Sequence, residues 1–304
     1  MRLLSDLCSG VPQPPQGLGR PRLPLSDMAF ASAFKVYSRF SSRRFSSDLR
    51  EAQARGLIKR APHFNSVSNY LASESLTPIL QDLITTSTLP LRALESDFAA
   101  DSSGFSTSRF VRWFDQKHGQ LVEEKRREWI KAHLMVGVRT NVVTAVEISG
   151  WRDSDSRYFP ALVGATAQNF DVAEVSADKA YLSKRNLEIV EGVGAVPFIP
   201  FKTNTTPMLD LQDSPWSRMY HLFACNREEF LRRYHKRSNV ETAFAMIKGK
   251  FADAVLSKSP TGMANEVLAK VLCHNVVVVG QAVHEFGIDP TFRAGSGAAQ
   301  ELTA

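Results

Sequence analysis

The sequence contains little cysteine, and its cysteines are not spaced for a shared site. Cys8, Cys225 and Cys273 are the only three in 304 residues, and no two of them form a C-x2-C pair. The pattern excludes a disulfide-stapled extracellular framework and a cysteine-based zinc site as interpretations. It is typical of a protein that works in a reducing compartment, so we expect a cytoplasmic location.

Several motifs of common function classes are also missing. The sequence has no G-x4-G-K-[ST] phosphate loop and no G-x-S-x-G nucleophile elbow, so neither nucleotide-driven work nor serine ester hydrolysis is indicated. The apolar run near the N-terminus is too short for a secretory signal. The most apolar stretch, residues 267–283, contains Lys270, His274 and Asn275. We therefore expect a buried helix there and no membrane partner.

The composition allows one large domain, or a catalytic domain with a smaller one. Hydrophobic residues make up 43% of the chain, and the net charge is +6. A basic balance favours a polyanionic partner. Residues 1–27 are rich in proline and glycine, and we predict a disordered linker there. Residues 291–304 are mostly small, and we predict a flexible tail.

Residues 28–93 are predicted to be helical. Gly56 ends one candidate helix, and another follows Pro62, so the order is helix, glycine turn, helix. Arg43 and Arg44 lie in this basic region, and the arrangement is compatible with a helix-turn-helix DNA reader. Simple three-helix packing with a basic surface is the alternative.

Residues 94–290 alternate short strands and helices, which predicts an α/β domain with a sheet flanked by helices. One strand is expected to end at Asp101, where D-S-S-G-F begins a turn, and another at Asp178, in A-D-K-A-Y. Asp97 lies on the same face as Asp101 and is a second candidate. Asp153 and Asp155 follow in a polar loop, where loop capping is the expected role.

One predicted helix, residues 234–251, carries an unusual row of polar side chains. Tyr234, Arg237, Glu241 and Lys248 fall within roughly 60° of each other at 100° per residue. A neighbouring apolar stripe anchors the helix to a core. An ordinary amphipathic surface helix is the alternative explanation of this segment.

The spacing Tyr-x2-Arg-x3-Glu-x6-Lys resembles the signature helix of insertion-sequence DDE transposases of the YREK group. The runs at Asp101 and Asp178 are similar to the two preceding acidic motifs of that family, and they occur in the same order. The resemblance covers about residues 94–290. It implies a ribonuclease H-like mixed sheet flanked by helices.

The resemblance also implies the chemistry of the site. Asp101, Asp178 and Glu241 are then the catalytic and metal-binding residues for two Mg²⁺ ions, with Asp101 bridging and Mn²⁺ as a substitute. Two hard cations about 3.5–4 Å apart suit in-line displacement at a phosphodiester.

Four cationic or phenolic positions are expected to contact DNA beside these acids. Tyr234, Arg237 and Lys248 hold the transposon end in the family, and Lys179 either touches DNA or lowers the pKa of its neighbouring carboxyl group. A structural ion pair is the alternative for Arg237, and core packing is the alternative for Tyr234.

The resemblance predicts a bacterial-type transposase, associated with the nucleoid, that cuts terminal inverted repeats and joins 3′-hydroxyl ends to target DNA. Its partners are double-stranded DNA and a second copy of the chain, with no nucleotide substrate. Two alternatives remain open: a catalytically inactive DNA-binding remnant, and a ribonuclease H-like nuclease that only hydrolyses.

Overall fold

The computed structural model describes residues 1–16, 19, 21–107, 129–202, 205 and 214–292. The strands are β1 (Asp97–Ser106), β2 (Trp129–Gly137), β3 (Val143–Gly150), β4 (Glu174–Ala177) and β5 (Val196–Phe198). The helices are α1 (Arg2–Ser9), α2 (Leu25–Ser38), α3 (Ser42–Ala54), α4 (Phe64–Leu71), α5 (Leu76–Thr88), α6 (Phe159–Ala167), α7 (Lys184–Gly192), α8 (Pro215–Cys225), α9 (Arg227–Tyr234), α10 (Ser238–Phe251) and α11 (Pro260–Phe286).

The five strands form one mixed sheet in the order β3-β2-β1-β4-β5. β1, β2 and β3 are antiparallel neighbours, whereas β4 runs parallel to both β1 and β5. Helices cover both faces, and each face has its own cluster of buried apolar side chains. The predicted α/β architecture, a mixed sheet flanked by helices, is confirmed.

The hairpin between β2 and β3 turns at residues 138–142. Asn141 adopts a positive φ of 63°, a conformation that asparagine tolerates better than most residues. The buried carboxylate of Glu95 accepts hydrogen bonds from the backbone N–H groups of Arg139 and Thr140 at 3.0 and 2.6 Å. Gly137 leaves room for that carboxylate, because a Cβ there would lie 2.5 Å from Cδ of Glu95.

The N-terminal segment is more ordered than its composition predicts. Residues 2–9 form α1, whose Leu4, Leu7 and Cys8 side chains are buried in the core. α2 then begins at Leu25. The prediction of a disordered linker over residues 1–27 is therefore wrong for both ends of that range, since a short apolar stripe beside a proline-rich run is enough to pack.

The helical region, residues 28–93, does not have a core of its own. Side chains of α2 and α5 belong to the same continuous apolar cluster as α10, α11 and one face of β1–β3. α3 packs chiefly on α2 and α4. The helices of this region therefore pack directly on the sheet and share one apolar core with it.

α11 is long and apolar enough to span a membrane by length and composition, yet 67% of its most apolar window is buried within the protein. Its polar side chains have partners: Lys270 donates to the Ala252 and Ala254 carbonyls, and His274 bonds the Asn141 carbonyl. Asn275 donates to the Val143 carbonyl. The prediction of a buried core helix is confirmed.

Two stretches of the chain meet the limits of the described residues. α8 begins at Pro215, capped by Ser214, and residues 203, 204 and 206–213 lie outside the described part of the chain. Of the expected flexible tail, Phe292 is buried, and residues 293–304 are not described.

Candidate active site

The first acidic residue lies in the middle of a strand and not at its end. β1 continues through the D-S-S-G-F run to Ser106, and Asp101 is paired with Leu134 of β2. The predicted turn is therefore wrong, because β2 supplies hydrogen-bond partners along the whole run. The parallel neighbour β4, however, ends opposite Ala100. Asp101 is the first residue of β1 that β4 leaves uncovered.

The second acidic residue directly follows β4, as predicted. The last paired residues of β1 and β4 are Ala100 and Ala177, so the next position on each strand is Asp101 and Asp178. These two aspartates therefore lie side by side where the sheet opens. Asp178 also caps the short 3₁₀ turn that follows, since its Oδ1 accepts from the Lys179 N–H at 2.6 Å.

The third acidic residue reaches the site through a broken helix. The predicted single helix over residues 234–251 is wrong, because α9 ends at Tyr234, a 3₁₀ turn covers His235–Arg237, and α10 begins at Ser238. The 3₁₀ turn brings two adjacent cations, Lys236 and Arg237, onto β1.

Arg237 connects two members of the acidic triad. Its Nη1 lies 2.6 Å from Oδ2 of Asp101, and its Nη2 lies 2.5 Å from Oε1 of Glu241. The sequence left two roles open for Arg237, a site residue or a structural ion pair. Both roles describe the same contact, because the guanidinium pairs with the acids of the site. The guanidinium carbon of Arg237 also lies 5.9 Å from the centroid of the Tyr234 ring, so the Tyr234 side chain stands beside Arg237.

The three acids interact electrostatically. Burial raises the pKa of Asp101, and the charges of Asp178 and Glu241 raise it further. The Ser102 N–H and Arg237 oppose this shift. The β1–β4 register brings Asp178 beside Asp101, and Arg237 bridges Asp101 and Glu241, so the three predicted acids lie in one neighbourhood.

Lys248 extends the site along the same face of β1. Its Nζ donates to Oγ of Ser103 at 2.6 Å, and Ser103 lies two residues beyond Asp101 on the same side of the strand. Burial lowers the pKa of Lys248. Sequence reasoning missed Ser103, although its place in D-S-S-G-F becomes informative once that run is seen as a strand.

The other predicted contact residues are placed less centrally. Lys179 is exposed beside Asp178. Tyr234 is partly buried and packs against the apolar cluster that contains Phe98 and Phe230. This is the core packing given as the alternative role of Tyr234. Arg43 and Arg44 are exposed in the first turn of α3, which packs on other helices.

Two acidic alternatives have structural roles. Asp97 pairs with Lys236 at 2.6 Å, and the same ammonium reaches Glu174 at 2.7 Å. Asp153 accepts from the Gly150 N–H and the Tyr158 hydroxyl, which is the predicted loop capping.

The carboxylate oxygens of the three acids suit a hard divalent cation. In this structure, however, Arg237 bridges two of these acids, Asp101 and Glu241. Among the described residues, no group of three or more histidine, cysteine or acidic side chains is arranged to hold a metal ion. Oxygen atoms of Asp101 and Glu241 face Arg237 instead. Mg²⁺ needs only one or two carboxylates besides water and phosphate oxygens, and the adjacent pair Asp101 and Asp178 meets that need.

The comparison with known families agrees with this geometry. A family model described as "Transposase DDE domain" matches residues 92–276, which is more than half of the chain. The match spans all three acids and Lys248. Members of this family act on DNA in transposition and generally use divalent metal ions. The chain belongs to the DDE-domain transposase family.

Proposed function

We propose that this protein is an insertion-sequence transposase that cuts DNA at terminal inverted repeats and transfers the 3′-hydroxyl ends to target DNA. The observation that carries the proposal is the single site formed by Asp101, Asp178 and Glu241 with Arg237 among them. Three acids and a guanidinium at one opening of a sheet suit a phosphodiester substrate, because a cation must neutralise the phosphate before attack.

The acids are the groups that would hold the metal. Asp101 and Asp178 present neighbouring carboxylates from rigid strands, and Glu241 adds a third from α10. Bound Mg²⁺ ions would supply charge neutralisation and activation of the attacking oxygen in the displacement. Asp101 would be the central metal ligand in this proposal, because it lies beside Asp178 in the β1–β4 register and shares Arg237 with Glu241.

The basic side chains position the DNA strand. Arg237 offers two parallel N–H donors, a geometry that fits a phosphate as well as it fits a carboxylate. Lys248 holds its ammonium over β1 two residues from Asp101, where a neighbouring phosphate would lie. Tyr234 supports Arg237, and the exposed Lys179 extends the positive surface beside Asp178.

The helical region completes the proposal as a DNA reader. Arg43 and Arg44 stand exposed at the start of α3, free of the sheet. Transposition holds two DNA ends together, so a dimer on double-stranded DNA is proposed, in the cytoplasm and associated with the nucleoid. The shared core with the catalytic sheet supports a fixed spacing between reader and acids.

Cleavage of a plasmid that carries the genomic flanks of the reading frame tests the proposal. With Mg²⁺ or Mn²⁺ the wild type is expected to nick at the flanks and to give joined products with a second plasmid. Asp178→Asn is expected to bind the same DNA without nicking it. Binding without nicking by the wild type would indicate an inactive remnant, and nicking without joined products would indicate a hydrolytic nuclease.

A further inference from the structure

A basic cavity lies at the C-terminal end of α10, away from the acids of the candidate active site. There, α2, α4 and the loop of residues 252–259 enclose a cavity of about 420 Å³. We call it the interface cavity, because its walls come from the helical region on one side and from the end of the catalytic sheet on the other. Its lining includes Lys35, Arg39, Lys258 and Lys270, with Glu266 as the one carboxylate among the lining residues.

The floor of the interface cavity is rigid. Glu266 accepts the backbone N–H groups of Leu256 and Ser257 at 2.8–2.9 Å, and Lys270 donates to the carbonyls of Ala252 and Ala254 at 3.1 and 2.7 Å. Both side chains are almost fully buried. The loop is therefore clamped by two charged groups that neutralise each other, and the remaining charge of the cavity is positive.

The rim carries cations without carboxylate partners. Arg39 is exposed, and its contact is with the carbonyl of Lys250 at 3.4 Å. Lys258 is exposed and makes no hydrogen bond or ion pair among the described residues. Solvated cations on opposite walls of a concave surface attract one anionic ligand that reaches both.

Apolar and aromatic side chains lie in the cavity and beside it. Phe251 and Leu256 line the cavity, and Leu256 is 38% exposed; Phe40, which follows Arg39 in the chain, is 49% exposed. Tyr37 packs on Phe251, and the ammonium of Lys250 stands 5.2 Å from the Tyr37 ring. Cations interleaved with exposed apolar and aromatic groups suit a nucleic-acid strand, whose phosphates are charged and whose sugars and bases are not.

The interface cavity and the active site lie along the same helix, α10. Phe251 lies ten residues beyond Glu241 on α10, which is about 15 Å along the helix axis. Lys248 lies between them on the same helix. The loop is also tied to the catalytic strand, because the Ser106 N–H donates to the Asp253 carbonyl and the Val255 N–H donates to the Ser106 carbonyl.

We infer that the interface cavity is a second DNA-backbone site, which holds a phosphodiester segment about four base-pair steps from the phosphate at the acids. The step count follows from about 3.4 Å per nucleotide along one strand. Arg39 and Lys258 contact the phosphates from the two walls. This inference rests on the proposed function and adds a fixed point for DNA outside the acidic site.

The test measures binding in EDTA, where cleavage does not occur. A fluorescein-labelled 40-base-pair duplex from the genomic flank is titrated by anisotropy at several salt concentrations. The double variant Arg39→Ala/Lys258→Ala is expected to reduce the slope of log K against log salt by about 1.8, since each lost phosphate contact removes about 0.9. The matched control is Arg227→Ala/Arg232→Ala, two arginines of α9 that do not line the cavity.

A second pair of variants tests the cavity without changing charge. Ser68 is exposed on α4 and lines the cavity, whereas the adjacent Asn69 is exposed and does not. Ser68→Trp is expected to weaken duplex binding about tenfold, and Asn69→Trp is expected to leave it unchanged. Unchanged slopes in Arg39→Ala/Lys258→Ala, or equal weakening by Ser68→Trp and Asn69→Trp, would overturn the inference.

These outcomes are separate from the fate of the proposed function. A wild type that does not bind the duplex at all would contradict both proposals. If the wild type binds and nicks while both cavity variants, Arg39→Ala/Lys258→Ala and Ser68→Trp, match their controls, only the interface-cavity inference fails. Competition by 5′-dAMP at millimolar concentration with no effect of Ser68→Trp on duplex binding would show a small-nucleotide site instead, and would also overturn it.

Discussion

The guanidinium of Arg237 lies 2.6 Å from the carboxylate of Asp101 and holds Glu241 with its other nitrogen. A metal ion at the acids needs the same oxygen atoms. A phosphate at the site would in turn offer Arg237 an equivalent bidentate partner. If Arg237 binds DNA as proposed, the acids become available to a cation when Arg237 moves to the phosphate.

The first prediction follows from this competition. Arg237→Gln is expected to bind Mn²⁺ about tenfold more tightly than the wild type in the absence of DNA, because a charge-assisted hydrogen bond contributes about 1.5 kcal/mol or more. Electron paramagnetic resonance of free Mn²⁺ measures it directly. Arg233→Gln, which loses pairs with Glu174 and Glu229 only, is the control. Equal or weaker Mn²⁺ binding by Arg237→Gln would contradict the competition.

The second prediction separates two aspartates of one strand. Asp101→Asn is expected to reduce metal-dependent nicking by a factor on the order of 10³ or more, since it removes the carboxylate that interacts with both other acids. Asp97→Asn is expected to retain nicking and to lose about 1 kcal/mol of unfolding free energy with its Lys236 pair. Plasmid nicking and urea denaturation are measured on both. Loss of nicking in a folded Asp97→Asn variant would place Asp97 in the active site and contradict this prediction.

The third prediction concerns the pH dependence of stability. His133 is fully buried, and burial lowers its pKa from 6.5 to about 4. Between these two values the unfolded chain binds a proton that the folded protein does not, so stability falls as the pH falls from 6.5 to 4. The difference amounts to about 3 kcal/mol. His133→Gln is expected to flatten this part of the curve, measured as unfolding free energy against pH; parallel curves would refute the assignment.

The fourth prediction compares two glycines. Gly137→Ala is expected to destabilise the protein by about 2 kcal/mol, because the new Cβ would meet the buried Glu95 carboxylate at 2.5 Å. Gly164→Ala is the matched control, since nothing lies within 4 Å of a Cβ at that helical position. It is expected to stabilise α6 by about 0.5–1 kcal/mol. Thermal and urea unfolding measure both; a neutral Gly137→Ala would show that Glu95 can move.

Much of the catalytic fold follows from local sequence patterns. The buried α11 forms where its apolar run predicts a buried helix. The β2–β3 hairpin and the Ser183 cap of α7 likewise use residues that are typical of turns and helix caps. Predictions failed where a non-local partner decides the structure. D-S-S-G-F looks like a turn, and it is a strand because β2 lies beside it.

The sequence by itself determined which side chains are candidates for the site, since the spacing of the YREK row and the order of the three acidic motifs are local features of the chain. Tertiary structure decided how they meet. The parallel pairing of β1 with β4 brings Asp101 beside Asp178, residues 77 positions apart in the chain. The 3₁₀ turn before α10 then places Arg237 between Asp101 of β1 and Glu241 of α10. This contact joins two distant segments, so the residue pattern of either segment alone does not predict it.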